Sequence, residues 1–353
     1  MIRPWIFEFF PERSGPDHRS DPRLVTEYFD RYLNIWQRDE ALGFEGIFFS
    51  EHHFGGAYGA SPNLLVASTA RLTRTLRLGV MGVVTPYYPP WRIFEEIGML
   101  DHLTNGRLEI GTAVGIPQEM AQVGISMQEA RERNDEAIAI LDAALANEVI
   151  SFSGKYYKFS NLRLLPRPLQ MPSPPKWTTV VSDDSARKAA RRGSKICTGF
   201  NETPRVKEIF DHYRDEADKS KRPAGPEQLA LRRRVVVAQS ESEAREKSDA
   251  VTERLTAMLS KDPRAVIKVA GAASKPVPDD AKPSGGGGFV MSADELIVGT
   301  PAHVAEDIIS QCRAVGAGHF LAVLHWGAAP DEIARAHEIF GQEISPALRQ
   351  ANV

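Results

Sequence analysis

The sequence is short of the features that mark several large classes of protein. Two cysteines among 353 residues, Cys197 and Cys312, are too few for a disulfide framework, and both lie in apolar patterns that predict small buried side chains. No apolar stretch approaches the roughly 18 residues of a membrane span, and the start MIRPWIFEFF lacks the pattern of a secretory signal. We therefore expect a cytoplasmic protein without a membrane partner.

An excess of positive charge is also absent. The 43 lysines and arginines stand against 46 aspartates and glutamates, a formal net charge of -3, and no basic block is long enough to follow a phosphate backbone. The most basic spot, Arg232 to Arg234, opens the apolar run Val235 to Val237, which predicts a solvated strand entrance without a function. We therefore expect no nucleic-acid partner.

What the sequence does contain is a regular alternation of strand-type and helix-type segments. Eight strands are predicted, approximately at Pro4 to Phe10, Gly46 to Ser50, Leu76 to Val84, Arg107 to Ala113, Trp177 to Ser182, Lys195 to Gly199, Leu229 to Ala238 and His319 to His325. Near-continuous apolar runs such as LRLGVMGVV indicate strands covered on both faces, as in a parallel sheet. Eight β-then-α units without a mid-chain linker favour an α/β fold with a single (β/α)₈ TIM barrel over residues 1–353, rather than two doubly wound domains.

Two segments interrupt this alternation and are predicted to be loop insertions at one end of the barrel. The first, 147–176, follows the helix after strand four and contains SGKYYKFSNLRLLPRP, an alternation that predicts a hairpin-like insertion. The second, 271–294, precedes the last helix-strand unit and includes the four glycines Gly285 to Gly288. It is either a disordered surface loop or a mobile Gly-rich lid over a pocket that must exclude water.

Polar residues at the predicted strand ends are the candidates for chemistry, because active sites of such barrels lie at the C-terminal ends of the strands. Strand two ends in Glu51-His52-His53, which is either a hydrogen-bonded structural cluster or a catalytic one. No HExxH spacing accompanies it, so no metal site is predicted. Tyr87, after strand three, and His325-Trp326, at the end of strand eight, either line an apolar substrate pocket or pack beneath the loops.

The run GFEGIFFSEHHF, from Gly43 to Phe54, resembles the bacterial luciferase-like family of flavin-dependent monooxygenases, which are (β/α)₈ barrels. The resemblance continues from Leu76 to Gly115, from Val180 to Gly193 and from Val298 to Phe320, and so covers nearly the whole chain in order. It implies a monooxygenase that uses reduced FMN (FMNH2) and O2, through a flavin hydroperoxide, on a small organic, apolar substrate. It also implies a separate NAD(P)H-dependent flavin reductase as the source of FMNH2, and a homodimer.

The same resemblance assigns roles to residues near the flavin ring. Glu51 matches a family carboxylate beside the flavin, and His52 matches the catalytic histidine, an imidazole suited to proton transfer near neutral pH. His53 is expected to orient its neighbours. Met81-Gly82 matches a bulge in which the family often has a non-prolyl cis bond against one flavin face.

The phosphate end of the flavin is assigned to the loop after strand five. Val181, Ser182 and Ser185 fall at this cofactor-binding position, where the two serines correspond to hydroxyl residues that bind the FMN phosphate at a helix N-terminus. Simple capping of that helix is the alternative. After strand four the family carries an arginine that pairs with the phosphate, but this sequence has Val114, so Arg187 or Lys188 supplies the charge or FMN binds weakly.

Two other functions stay open at this point. A deazaflavin-dependent hydride-transfer oxidoreductase shares the barrel and the bulge after strand three, although the EHHF run favours the FMN branch. A non-catalytic flavin-binding barrel is suggested by Val114, and the retained Glu51 and His52 argue against it.

Overall fold

Parallel strands dominate the computed structural model of this protein, which describes residues 1–10, 21–54, 57–260, 267–269 and 289–353. In chain order the strands of these residues are β1 (Arg3–Glu8), β2 (Gly46–Phe49), β3 (Arg77–Val80), β4 (Val83–Val84), β5 (Leu108–Ala113), β6 (Val149–Ser153), β7 (Lys158–Arg163), β8 (Lys176–Thr179), β9 (Lys195–Thr198), β10 (Leu229–Val237), β11 (Ile267–Val269), β12 (Phe289–Met291), β13 (Leu296–Gly299) and β14 (His319–Leu324).

Eight of these strands close into a barrel. The hydrogen-bonded order runs β10, β14, β1, β2, β3, β5, β8 and β9, and β9 returns to β10, with every pairing parallel. Strand β10 pairs with β9 through Leu229–Leu231 and with β13 through Arg234–Val237. Strand β13 therefore completes the barrel wall beside the C-terminal half of β10. The predicted (β/α)₈ barrel is confirmed.

The eight predicted strands are all present, with ends that differ by a few residues. The third is divided into β3 and the short β4, because Met81 and Gly82 leave the ladder between them. Strand β13 was not predicted, because LIVG lies just after the segment 271–294, which was predicted to be a loop insertion.

Helices follow the strands and cover the outside of the barrel. In chain order they are α1 (Pro22–Asp39), α2 (Pro62–Leu72), α3 (Pro90–Leu103), α4 (Pro117–Gln122), α5 (Met127–Ala146), α6 (Asp183–Arg191), α7 (Thr203–Lys219), α8 (Glu241–Ser260), α9 (Pro301–Val315), α10 (Pro330–Ile339) and α11 (Ser345–Gln350). Their starts follow local sequence: Asp21 and Thr300 accept hydrogen bonds from the first turns of α1 and α9, each with proline directly behind. None of the described helices is long and apolar enough to cross a membrane.

Alternation along the strands separates two apolar regions. One lies inside the barrel and contains Trp5, Phe7, Phe48, Met81, Trp177, Cys197, Ala230, Leu321 and Val323. The other, larger region lies between the strands and the helices and includes Leu229, Leu231, Val235 and Val237 of β10. Because both faces of β10 are covered, all nine of its residues are buried. Cys197 and Cys312 are buried free thiols, as predicted.

Each predicted insertion contains a short strand that pairs outside the barrel sheet. Strands β6 and β7 pair antiparallel within 147–176. Of the Gly-rich segment predicted at 271–294, the structure describes only 289–294, which includes β12 paired in parallel with β11. The predicted lid over 271–288 lies outside the described residues.

Candidate active site

The carboxyl ends of β1, β2 and β14 bring three distant aromatic rings together. The Phe9 ring stacks on the Trp326 indole at a centroid distance of 4.5 Å and on the His52 imidazole at 5.8 Å, with an interplanar angle of 20° in both pairs. These residues follow neighbouring parallel strands, so the chain must reach the same end of the barrel at each of them. Phe9 was not predicted as a site residue, because only barrel closure places it between the other two.

The Glu51 carboxylate is the centre of a hydrogen-bond network after β2. Its Oε2 accepts the backbone N-H of Val84 at 3.1 Å, and its Oε1 accepts the Tyr88 hydroxyl at 3.0 Å and lies 2.9 Å from His53 Nε2. The residue is 5% exposed, so little water competes for these contacts. The hydrogen bond that His53 donates to Glu51 raises the pKa of His53 above its ordinary value, although burial opposes the shift.

His52 is oriented by a second carboxylate. Its Nδ1 lies 3.0 Å from Oε1 of Glu119, which is buried in the first turn of α4, and 32% of the His52 side chain is exposed. When Nδ1 donates to a carboxylate, the neutral ring presents Nε2 as a proton acceptor. Glu119 was missed by the sequence interpretation; the available signal was an acidic residue two positions after Pro117, at a helix start beyond a barrel strand.

The backbone after β3 approaches β5 too closely for a side chain. The Met81-Gly82 peptide bond is cis, at the position the resemblance indicated. A Cβ on Gly82 would lie 2.5 Å from the carbonyl carbon of Thr112, and one on Gly111 would lie 2.0 Å from the Val80 oxygen. Glycine is therefore required at both positions, and contact of Met81-Gly82 with a flavin stays a prediction.

Tyr87 faces the Glu51 and Glu119 carboxylates at the same end of the barrel. Its ring lies edge-on to His53 at 5.0 Å, and its buried hydroxyl has no hydrogen-bond partner. Burial, reinforced by the two carboxylates, raises the pKa of Tyr87 to about 12, so the phenol stays protonated.

His325 lies within the barrel wall. It is 1% exposed, and its Nε2 lies 3.0 Å from the backbone N and 3.2 Å from the backbone O of Val237, which holds the end of β14 to the end of β10. Burial lowers the pKa of His325 to about 4, so the ring is neutral at pH 7. Of the predicted pocket residues, Tyr87 and Trp326 are partly exposed, whereas His325 is positioned to support the wall.

The serine pair after β8 forms a capping box on α6. Ser182 accepts the N-H of Ser185 at 3.3 Å, and the Ser185 hydroxyl accepts the N-H of Ser182 at 3.1 Å. Both hydroxyls are therefore held at the helix N-terminus, and the preceding Val181 is 55% exposed. Capping is present here, and phosphate binding by the same groups stays a prediction.

The two acidic residues at this helix start have partners that draw them away from it. Asp183 bonds to Arg205 at 2.7 Å and lies 3.3 Å from His212, both on α7, and Asp184 lies 3.3 Å from Lys188. These contacts compensate carboxylates that would otherwise repel an anion at the helix N-terminus.

The position after β5 that the resemblance assigns to an arginine carries Val114. Val114 packs in a small apolar cluster with Val84 and Met120, and the Arg187 guanidinium donates to Nδ1 of His212 at 2.9 Å. With Lys188 held by its acidic neighbour, the positive charges near α6 already have partners among the described residues.

The arginine run in β10 is buried, so the predicted solvated strand entrance is wrong. Arg232, Arg233 and Arg234 are 6%, 0% and 5% exposed. The strand has the barrel interior on one side and helices on the other, so a basic run inside it cannot face water. Arg233 lies 3.4 Å from Glu295 on the helix side, and Arg232 lies over the Phe200 ring at 3.7 Å.

Buried polar atoms without a hydrogen-bond partner concentrate at this end of the barrel. Seven of the eleven such side-chain atoms among the described residues are Ser50 Oγ, the Tyr87 hydroxyl, Thr198 Oγ1, Arg232 Nε, Arg234 Nε, His325 Nδ1 and Trp326 Nε1. Thr198 lies on the helix side of its strand with Leu231, and His325 supports the wall. Because buried polar groups are normally paired, the other five atoms are candidates for contact with a ligand. These five groups, on Ser50, Tyr87, Arg232, Arg234 and Trp326, are N-H or O-H donors, which suits a ligand that carries acceptor atoms. The described residues contain no group of three ligands that could hold a metal ion.

Comparison with known proteins agrees with this architecture. The model of the family described as luciferase-like monooxygenase matches residues 6–319. The oxygenase component of a flavin-dependent trigonelline monooxygenase from Acinetobacter baylyi is 28% identical over 235 residues, which span 64% of each chain.

Two solved structures share the fold over almost their whole length. The monooxygenase RslO1 from Streptomyces bottropensis has a TM-score of 0.81 at 24% identity, covering 98% of this chain and 99% of its own. The oxygenating constituent of 3,6-diketocamphane monooxygenase from Pseudomonas putida, in complex with FMN, has a TM-score of 0.73 at 21% identity and covers 98% of each chain.

Proposed function

Since the chain belongs to the luciferase-like monooxygenase family, we propose that it uses reduced FMN and O2, by way of a flavin hydroperoxide, to oxygenate a small organic substrate. The observation that carries this proposal is the His52–Glu119 pair at the end of the barrel where unpartnered donors concentrate. A carboxylate-oriented histidine beside unsatisfied donors is suited to proton transfer on a bound ligand.

In this proposal His52 moves the proton and the other polar residues position it. Glu119 holds Nδ1, and no described residue bonds to Nε2, which leaves that nitrogen available to a ligand. Phe9 fixes the ring plane by stacking on it. Glu51 ties β2 to β4 by accepting the backbone N-H of Val84.

The cofactor would be held between the Met81-Gly82 bulge and the α6 N-terminus. Met81 and Gly82 would contact the ring, and Val181, Ser182 and Ser185 would surround the phosphate. Bound in reduced form, FMN supplies the electrons and the oxygen chemistry. The rings of Tyr87 and Trp326 would exclude water beside it, and the unpartnered O-H and N-H of these residues would donate to the bound molecule.

A separate NAD(P)H-dependent flavin reductase is part of the proposal. The A. baylyi relative is named as an oxygenase component, which supports a two-protein system. We also propose that the chain acts as a homodimer, as the resemblance implies.

The first test is an anaerobic titration of the purified protein with photoreduced FMN, followed by mixing with O2 and recording of flavin spectra. Tight binding and a long-lived oxygenated flavin are expected. In a His52→Ala variant, FMN binding should persist, while product formation in the coupled assay should fall by about 10²- to 10⁴-fold. His102→Ala, at an exposed residue of α3, is the matched control and should behave as the wild type.

Three results would contradict the proposal. Binding of reduced FMN without any oxygenated species would favour a passive flavin protein. Failure to bind FMN at all, together with binding of a reduced deazaflavin, would favour hydride transfer. Unchanged coupled turnover in His52→Ala would remove the role given to that histidine.

A further inference from the structure

Strand β10 directs two arginines into the barrel interior. Ala230 belongs to the interior apolar cluster, and side chains of a strand alternate, so Arg232 and Arg234 share its face. The Arg232 guanidinium lies 5.1 Å from the ring centroid of Phe7, another interior residue. Arg234 lies about 6.6 Å further along the strand, beside Val323 of β14.

The carboxylate available to these arginines is already shared. Glu295 Oε2 accepts the backbone N-H of Phe200 at 2.9 Å and lies 3.4 Å from Arg233, and its Oε1 lies 3.5 Å from Arg232. Glu295 also acts on Arg234 through space, but no described residue forms a hydrogen bond or ion pair with that guanidinium. Among the described residues, the interior therefore holds more positive than negative charge beside the end of β10.

An unpaired buried cation is unfavourable for folding, whereas a buried pair is tolerated. Arg234 is 95% buried by the surrounding chain, and its Nε has no partner. A side chain that opposes stability in this way is typical of a functional site, because the missing partner arrives with the ligand. The partner of a planar guanidinium is a carboxylate or a similar oxyanion.

The neighbouring rings indicate what carries the anionic group. Arg232 also lies 5.8 Å from the Phe9 ring, the same ring that stacks on His52 and Trp326. A planar apolar body against these rings would extend from the arginines toward His52. The anionic group, at the arginines, and the position that reacts, at His52, would then lie at opposite ends of one small molecule.

We propose that Arg234, supported by Arg232, binds the anionic group of the substrate, and that the substrate class is small aromatic or apolar carboxylates. The inference rests on the proposed function, because it places this molecule beside His52. The sequence predicts an apolar substrate, and this proposal restricts that class to apolar molecules that carry one negatively charged group.

The test compares benzoate with benzamide, a neutral molecule of the same shape, by calorimetric titration of the full-length protein with and without FMN. The wild type should bind benzoate at least about tenfold more tightly. Arg234→Met should remove this preference. Arg234→Lys should keep part of it, since lysine has the positive charge but lacks the planar guanidinium that can donate two parallel hydrogen bonds to a carboxylate.

Thermal unfolding separates this role from a structural one. Arg234→Met should keep or raise the melting temperature, because it removes an unpaired buried charge. Arg233→Met is the matched control on the other face of β10; it should lower the melting temperature, because Arg233 is paired with Glu295 and Gln311. A lowered melting temperature in Arg234→Met, with unchanged benzoate preference, would overturn the proposal.

Two further outcomes are decisive. Equal or absent binding of benzoate and benzamide by the wild type would overturn the inference. So would an Arg234→Met variant that loses affinity for FMN but not for riboflavin, because the guanidinium would then pair with the flavin phosphate. If the wild type does not bind FMN yet prefers benzoate through Arg234, the proposed function fails and the anion site stands.

Discussion

Replacement of Glu51 by glutamine tests the network that surrounds the candidate site. Glu51→Gln preserves the shape of the side chain but removes its charge and one of its two acceptors. The carboxylate takes part in three contacts, with Val84, Tyr88 and His53, at 2.9 to 3.1 Å. An amide can satisfy the Val84 N-H only by turning its NH2 group toward the other two partners.

The magnitude follows from the change in hydrogen-bond type. Hydrogen bonds to a charged group contribute about 1.5–3 kcal/mol and neutral ones about 0.5–1.5 kcal/mol, so each contact loses about 1 kcal/mol. Three contacts at a residue that is 5% exposed give a loss of about 3 kcal/mol as an upper value, since the amide can rearrange.

The pH dependence has a definite sign. Glu51 raises the pKa of His53 in the folded protein, so this contact stabilises fully below the unfolded pKa of about 6.5 and the stabilisation is lost as pH rises through the folded value. Glu51→Gln should therefore destabilise more at pH 6 than at pH 9. It should also lower the pKa of His53.

Histidine-selective isotope labelling and an NMR titration measure the pKa of His53 directly, and chemical denaturation at the two pH values measures stability. Tyr88→Phe is the control: it removes one hydroxyl, should cost about 1 kcal/mol and should leave the pKa of His53 raised. An unchanged His53 pKa in Glu51→Gln, or an equal fall in Tyr88→Phe, would refute the network.

Three further perturbations test other parts of the structure. Gly111→Ala would place a Cβ 2.0 Å from the Val80 oxygen. The free energy of unfolding, measured by urea denaturation, should fall by at least about 1–3 kcal/mol. An unchanged free energy of unfolding would contradict the close approach of β5 to β3. His325 has a pKa of about 4 in the folded protein, below the unfolded value of about 6.5. The free energy of unfolding of the wild type should therefore fall as pH drops from about 6.5 to about 4, by at most about 1.4 kcal/mol per pH unit. His325→Gln should make this fall less steep. Ser182→Ala should cost about 1 kcal/mol through the lost cap and weaken FMN more than riboflavin in fluorescence titrations; equal weakening would leave only the cap.

Patterns formed by residues that are neighbours in the sequence were sufficient to predict the barrel. Apolar runs such as LRLGVMGVV and the eight-fold strand-helix alternation depend on neighbours in sequence, so they are visible without the fold. The order EHH after a strand likewise indicated Glu51 and His52, because the C-terminal end of a parallel strand is a property of local chain direction. Strand β13 was not predicted, because its residues lie just after the segment that was predicted to be a loop insertion.

The rest was decided by tertiary structure. Glu119 reaches His52 across 67 residues of sequence, and Phe9 lies between His52 and Trp326 only because β1 pairs with both β2 and β14. The charge of the arginine run in β10 predicted a solvated strand entrance. Barrel closure buries the run instead, and no described residue pairs with Arg234. Sequence by itself determined which segments become strands; which side chains meet depends on register and closure, because those set the distances between residues that no local pattern relates.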